Sequence, residues 1–286
     1  VKTWFAIMSV ICVVLMLQGC TKTTIYDAVN NGDVSTTMRL LDQGIDVNQP
    51  DGSGMTPLHY ATISGHMKVV RVLLQRGANV NAVDKRGNPP IFGAMVWNHP
   101  NIVKLLLNNG THVELRNKLG QTLLHMACRQ KIGSYDTARY LLRHGLDINA
   151  KDRAGNTPLH YAAQLNNRRY ALTLVKFGAD ISATDIYGAT PLHVAAICNS
   201  LSVAEYLISK GATVNARDRN FETPLHWVAA GNGNTDADGG IPLAKVLIAN
   251  AGIVNIKNKS GDTPLVLARK AENEKMVKFL LEHGAR

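Results

Sequence analysis

Five histidines, His59, His125, His160, His193 and His226, stand at the same place in a recurring phrase, and imidazole is a common zinc ligand. A zinc site needs several ligands within about 2 Å of one ion. A residue that recurs once per structural repeat advances by about one packed helix, roughly 10 Å, per copy. The five therefore cannot converge, and they define no metal site. The stretch GNGNTDADGGIP, residues 231–242, offers a second chemistry. Aligned to a calcium loop, Asn234, Asp236 and Asp238 fall at the first, third and fifth ligand places, Gly239 at the turn and Ile241 at the apolar place. The twelfth place requires a bidentate carboxylate and holds Lys245. A solvated spacer is the expected reading.

Nucleophilic and cofactor chemistry fare no better. Cys128 and Cys198 belong to repeats two steps apart, roughly 20 Å, whereas a disulfide needs Cα atoms within about 7 Å. No disulfide is expected, and Cys128 takes a small-residue place shared with Thr62, Ala163, Ala196 and Ala229. The sequence has no HExxH, GxSxG or GxxxxGKS/T phrase, and Gly231 and Gly233 lack the third glycine of a dinucleotide loop. No catalytic residue is assigned, no cofactor is called for, and the chain reads as a non-enzyme.

The elements that carry these residues are periodic. The phrase runs TPLHYA from Thr56, TLLHMA from Thr122, TPLHYA from Thr157, TPLHVA from Thr190, TPLHWV from Thr223 and TPLVLA from Thr263, with a degenerate PPIFGA at Pro89. A leucine-rich run ending in glycine follows in step at Gly44, Gly77, Gly110, Gly145, Gly178, Gly211 and Gly284. Threonine at an N-cap accepts an orphan amide, and the next proline has a preset φ where no donor is needed. A first helix therefore starts at each phrase and stops at Gly65, Asn166 or Asn199, residues that tolerate the left-handed region. A second helix follows, with apolar residues such as Val69, Val70, Leu73 and Leu74 at helical spacing. Helices this short are marginal alone in water, so each pair must stack on its neighbours.

This pattern resembles the ankyrin repeat, whose T-P-L-H-x-A phrase recurs about every 33 residues. The resemblance implies an all-α solenoid of helix-turn-helix units joined by hairpin-like turns. It covers residues 25–286: an N-terminal cap at 25–50, repeats at 51–83, 84–116, 117–151, 152–184, 185–217 and 218–257, and a C-terminal cap at 258–286. It further implies that the repeated histidine bridges backbone groups of adjacent loops, and that partners bind at the turn tips and the adjoining face of helix one. Two departures flank the extended sixth unit. Phe221 replaces the turn glycine found at Gly54, Gly87, Gly120, Gly155, Gly188 and Gly261, and the usual Gly-Ala is transposed to Ala251-Gly252.

Ahead of the array, an apolar run from Trp4 to Leu17 ends in Leu17-Gln18-Gly19-Cys20. About fourteen residues suit an export signal better than a span of ~30 Å of hydrocarbon. The ending resembles the lipobox of bacterial lipoproteins, which implies cleavage after residue 19, lipid on Cys20 and a short tether at 20–24. Two or more acyl chains anchor stably. Thr21 implies the outer membrane, with the array facing the periplasm.

The formal net charge is +10, with 45% hydrophobic and 18% charged residues, a composition that excludes a disordered chain. The basic excess is concentrated between residues 51 and 184. Residues at equivalent places form rows along a stacked array, so the turns preceding each phrase supply two rows. Lys85, Lys118, Arg153, Arg219 and Lys259 form one; Arg116, Lys151, Arg217 and Lys257 form the other, two residues earlier. They read either as a surface for an anionic partner or as ordinary solvated turn charges. On the first reading Lys85, Arg86, Arg116, Lys118, Lys151, Arg153, Arg217 and Arg219 bind a protein partner with an acidic surface, and Ile186 and Tyr187 are apolar anchors. Nucleic acid is disfavoured by the inferred compartment, and a monomer is expected. Other readings are an envelope structural protein whose basic face meets anionic lipid or cell-wall polymer, and an exported effector.

Overall fold

The computed structural model describes residues 23–128, 134–231 and 240–286. The export signal, Cys20 and the heart of the 231–242 stretch, including Asn234, Asp236, Asp238 and Gly239, lie outside the described residues. The described residues form sixteen helices in successive pairs and divide into two compact units. None of these helices is long and apolar enough to cross a membrane.

The first unit comprises residues 23–85 and 89–111. It contains α1 (Ile25–Asn30), α2 (Val34–Asp42), α3 (Pro57–Ser64), α4 (Met67–Gln75), α5 (Pro90–Val96) and α6 (Pro100–Asn108). The first helices α1, α3 and α5 pack in one row and the second helices α2, α4 and α6 in another. Leu58, Leu73, Ile91, Phe92, Met95 and Leu106 are fully buried between them. Each such side chain stabilises the stack by about 1.5–3 kcal/mol, which supplies what an eight- or nine-residue helix lacks on its own. Asp27, Asn30, Asn31 and Asp33 are exposed, and two of them also cap helices. Asp27 accepts the Thr24 amide in a capping box, and Asp33 accepts the amide of Thr36 at the start of α2.

The second unit comprises residues 86–88 and 112–286. Its helices are α7 (Leu123–Ala127), α8 (Ser134–Arg143), α9 (Pro158–Gln164), α10 (Arg168–Lys176), α11 (Pro191–Ile197), α12 (Leu201–Ser209), α13 (Pro224–Ala230), α14 (Ile241–Ala249), α15 (Pro264–Lys270) and α16 (Glu274–Glu282). The same two rows appear, α7-α9-α11-α13-α15 and α8-α10-α12-α14-α16. Alanines at 127, 162, 195 and 268 are fully buried, where the absence of a larger side chain lets neighbouring first helices approach. The shortest helix, α7, has a compensating partner. Tyr170, wholly buried in α10, donates its hydroxyl to the Leu124 carbonyl at 2.6 Å, and Asn167 Nδ2 donates to the Cys128 carbonyl. These donors satisfy carbonyls that a longer α7 would have bonded internally.

The helix ends follow the residue types. Asn98, Asn166 and Asn199 take φ of +59°, +50° and +50°, and Gly65 takes +77°. Glu272, with φ +55° after α15, and the transposed pair depart from this. Ala251 adopts φ +67° where the equivalent Gly77, Gly110, Gly145, Gly178 and Gly211 adopt +82° to +92°. Gly252 donates to the Leu247 carbonyl, and a β-carbon there would stand 2.7 Å from that oxygen. An alanine in the left-handed region is strained, whereas glycine is not. Ala251→Gly is expected to raise stability by about 1 kcal/mol in urea unfolding, and Gly252→Ala to lower it.

Candidate partner-binding surface

The turns are built on a fixed set of bonds. In each of four turns of the second unit, one carboxylate or amide oxygen accepts two backbone amides: Asp152 from Ala154 and Asn156, Asp185 from Tyr187 and Ala189, Asp218 from Asn220 and Glu222, and Asn258 from Ser260 and Asp262. The residue that closes each turn then receives a histidine from the repeat before it. His125, His160, His193 and His226 place Nε2 at 2.9, 3.0, 3.0 and 3.2 Å from the carbonyls of Asn156, Ala189, Glu222 and Asp262. Their Nδ1 atoms lie 3.1 Å from the amide nitrogens of Thr122, Thr157, Thr190 and Thr223. An amide can only donate, so Nδ1 is the bare nitrogen and Nε2 carries the proton it gives to the next turn. Histidine thus fills the capping-box place usually held by glutamate or glutamine. The first unit repeats the arrangement at Thr56 and His59, whose Nδ1 accepts the Thr56 amide at 3.0 Å.

Each turn tip of the second unit is joined to the next by one backbone bond. The amides of Lys118, Arg153, Ile186, Arg219 and Lys259 donate to the carbonyls of Arg86, Leu119, Ala154, Tyr187 and Asn220 at 2.8 to 3.1 Å. The side chains at the tips therefore stand in register. Arg86, Lys118, Arg153, Arg219 and Lys259 are all exposed, and so are Ile186 and Tyr187, the latter to 64%. Lys85 lies in the first unit, exposed, with its amide on the Ser53 carbonyl.

The second row of cations does different work. Arg116 Nη1 donates to the carbonyls of Gly120 and Lys151, and Lys151 Nζ donates to the carbonyl of Thr184 at 2.6 Å. These two side chains brace turns across repeats. Arg217 instead lies over the Phe221 ring, 5.6 Å from its centroid. Two exposed apolar tip residues escaped sequence reasoning as anchors: Leu119, 60% exposed, and Phe221, 47% exposed. Leu119 shares its turn position with Tyr187, a signal already in the sequence. Phe221 stood out there only as a missing glycine.

A family model described as ankyrin repeats matches residues 6–84, 91–185, 151–218 and 217–286. The chain belongs to the ankyrin repeat family. The ankyrin repeat domain of Bcl-3, described as a unique member of the IkappaB protein family, is similar at 29% identity and a TM-score of 0.62, covering 72% of this chain and 93% of that one. An ankyrin repeat and LEM domain-containing protein 1 homolog of Caenorhabditis elegans is 44% identical over 55 residues, 19% of this chain and 8% of the relative. The chain thus matches only a small part of that curated relative's length.

Within this ankyrin array the histidines are neutral structural groups. Burial pushes the pKa of His125, His160, His193 and His226 below the ordinary 6.5, outweighing the carbonyl bonds that favour the charged ring. Cys128 and Cys198 form no disulfide, the former giving its thiol to the His125 carbonyl, and burial raises the Cys198 thiol's pKa. Because the unfolded chain binds protons at these rings below pH 6.5 and the folded chain resists them, stability is full above that pH and falls below it. The slope reaches about 1.4 kcal/mol per pH unit for each histidine. Carboxylates act lower: the Thr36 amide and neighbouring hydroxyls hold Asp33 at about 2, so its contribution is lost only as pH falls from 3.8 toward 2. Urea midpoints should therefore fall between pH 6.5 and 5, and His160→Gln, less stable at pH 7.5, should show a shallower fall. A flat profile in wild type would contradict the neutral relay.

Proposed function

We propose that this ankyrin array is a non-enzymatic scaffold that holds a protein partner with an acidic surface against its turn tips and the adjoining faces of its first helices. One observation carries the reading. Lys118, Arg153, Arg219 and Lys259 are exposed in register on hydrogen-bonded tips, while Asp152 and Asp218 of these turns, and Asp185 of the turn between them, are committed to backbone amides. The tips consequently present positive charge outward, the arrangement that speeds encounter with an acidic partner. Membership in a family of protein-binding repeats supports the same conclusion.

The array works, on this proposal, as a monomer at a bacterial envelope, tethered by lipid on Cys20 and facing the periplasm. The Leu17-Gln18-Gly19-Cys20 ending supports that address. Growth with a clickable palmitate analogue should label the wild type and leave Cys20→Ser unlabelled; equal labelling of both would remove the tether from the proposal.

Lys151 and Arg116 brace the turns, so the test of the tip charges uses Lys118, Arg153 and Arg219. Their combined reversal to glutamate should slow association with a partner captured from cell-envelope extract by roughly tenfold at low salt, and should flatten the salt dependence. An unchanged on-rate would reduce these side chains to solvated turn charges.

A further inference from the structure

We propose that the tips of the fifth and sixth repeats form a cationic aromatic clamp for an acidic polypeptide segment bearing an aromatic or large apolar side chain. The inference rests on the tip-binding reading above and narrows it to Ile186, Tyr187, Arg217, Arg219 and Phe221.

Phe221 is the observation that needs an explanation. At the equivalent turn position Gly120, Gly155 and Gly188 adopt φ near +77° to +79°, and a β-carbon on any of them would stand 2.7 to 3.0 Å from the backbone of the following tip. Phe221 carries a β-carbon at that position and takes φ +61°, a backbone state that aromatic residues adopt at a cost. Burial does not offset the cost, since the side chain is 47% exposed. What the ring does is hold the Arg217 guanidinium over its face at 5.6 Å, a cation–π distance. Strain at an exposed position, coupled to a held guanidinium, is the outlier from which a functional reading starts.

The neighbouring tip completes the cluster. The Tyr187 carbonyl accepts the Arg219 amide at 2.9 Å, so the two tips are joined, and Tyr187 and Ile186 are 64% and 42% exposed. Acidic groups close by are already used. Asp185 holds the amides of Tyr187 and Ala189; Asp218 is buried and holds two amides and the Trp227 indole; Glu222 accepts from Asn258. The exposed chemistry is therefore guanidinium beside aromatic, which matches carboxylates interspersed with a flat or apolar side chain. A polypeptide segment fits better than a bilayer because the aromatics are confined to these two tips. Ala154 and Ser260 stand at the tips on either side, where a membrane surface would also press.

The test uses the full chain with two probes of equal length, poly-glutamate and a random glutamate–tyrosine copolymer, and with vesicles containing phosphatidylglycerol. Wild type should hold the copolymer about fivefold more tightly than poly-glutamate. Phe221→Gly restores the ordinary turn residue, so it should melt no lower than wild type and lose that preference while keeping poly-glutamate affinity. Phe221→Asn, also tolerant of the left-handed region, should behave alike. Equal affinity for both polymers, or a preference surviving both substitutions, would overturn the clamp and leave the tip-charge reading standing. Vesicle binding stronger than copolymer binding would overturn it in favour of a membrane surface. Poly-glutamate binding that is absent, or unaffected by reversing Lys118, Arg153 and Arg219, would sink the tip reading itself.

Discussion

The structure depends on a buried neutral imidazole. In each repeat that carries one, the ring takes an amide from its own turn on Nδ1, and in four of them Nε2 gives its proton to the carbonyl that closes the next turn. A buried polar group left unpaired costs more than a satisfied one contributes. Each ring therefore makes its neighbour's turn geometry a condition of its own satisfaction. Stacking of apolar helix faces supplies most of the energy; the imidazoles set the register in which the stack forms.

That register is what turns a row of residue types into a surface. Because consecutive tips are joined amide to carbonyl, side chains separated by about thirty-three residues in sequence become neighbours on the outside of the turns. The carboxylates of the turns are drawn inward by backbone amides, and the cations, which have no acceptor role in the turn, are left outside. The same need for backbone satisfaction explains why Arg116 and Lys151 differ from the rest of their kind: carbonyls lie within their reach and they bond to them. Charge at a turn tip is thus divided into structural and displayed groups by what lies within hydrogen-bond distance, and residue type alone does not make that division.

Much of this was legible beforehand where the cause is local. The Thr-Pro start, the glycine or asparagine stop and the position of the histidine act over three or four residues, and their repetition made the family visible. The role of Tyr170 was not legible. Its place reads as one more apolar position on a second helix, equivalent to Val69, and its value arises because α7 stops early and leaves the Leu124 carbonyl open. Leu119 was half-legible, through its shared position with Tyr187.

By itself the sequence determined the repeat and its helices, because these follow from backbone conformational preferences that each residue carries wherever it stands. It also determined that cations recur at one turn position. The tertiary structure alone decided which of those cations are displayed, since that depends on carbonyls contributed by another repeat. It alone joined the tip that carries Arg217 and Phe221 to the tip that carries Tyr187. The sequence marks Phe221 only as a residue in the wrong place; its contact with Arg217 is local to one turn, but the bond that joins that tip to the one carrying Tyr187 exists only once neighbouring turns have been stacked.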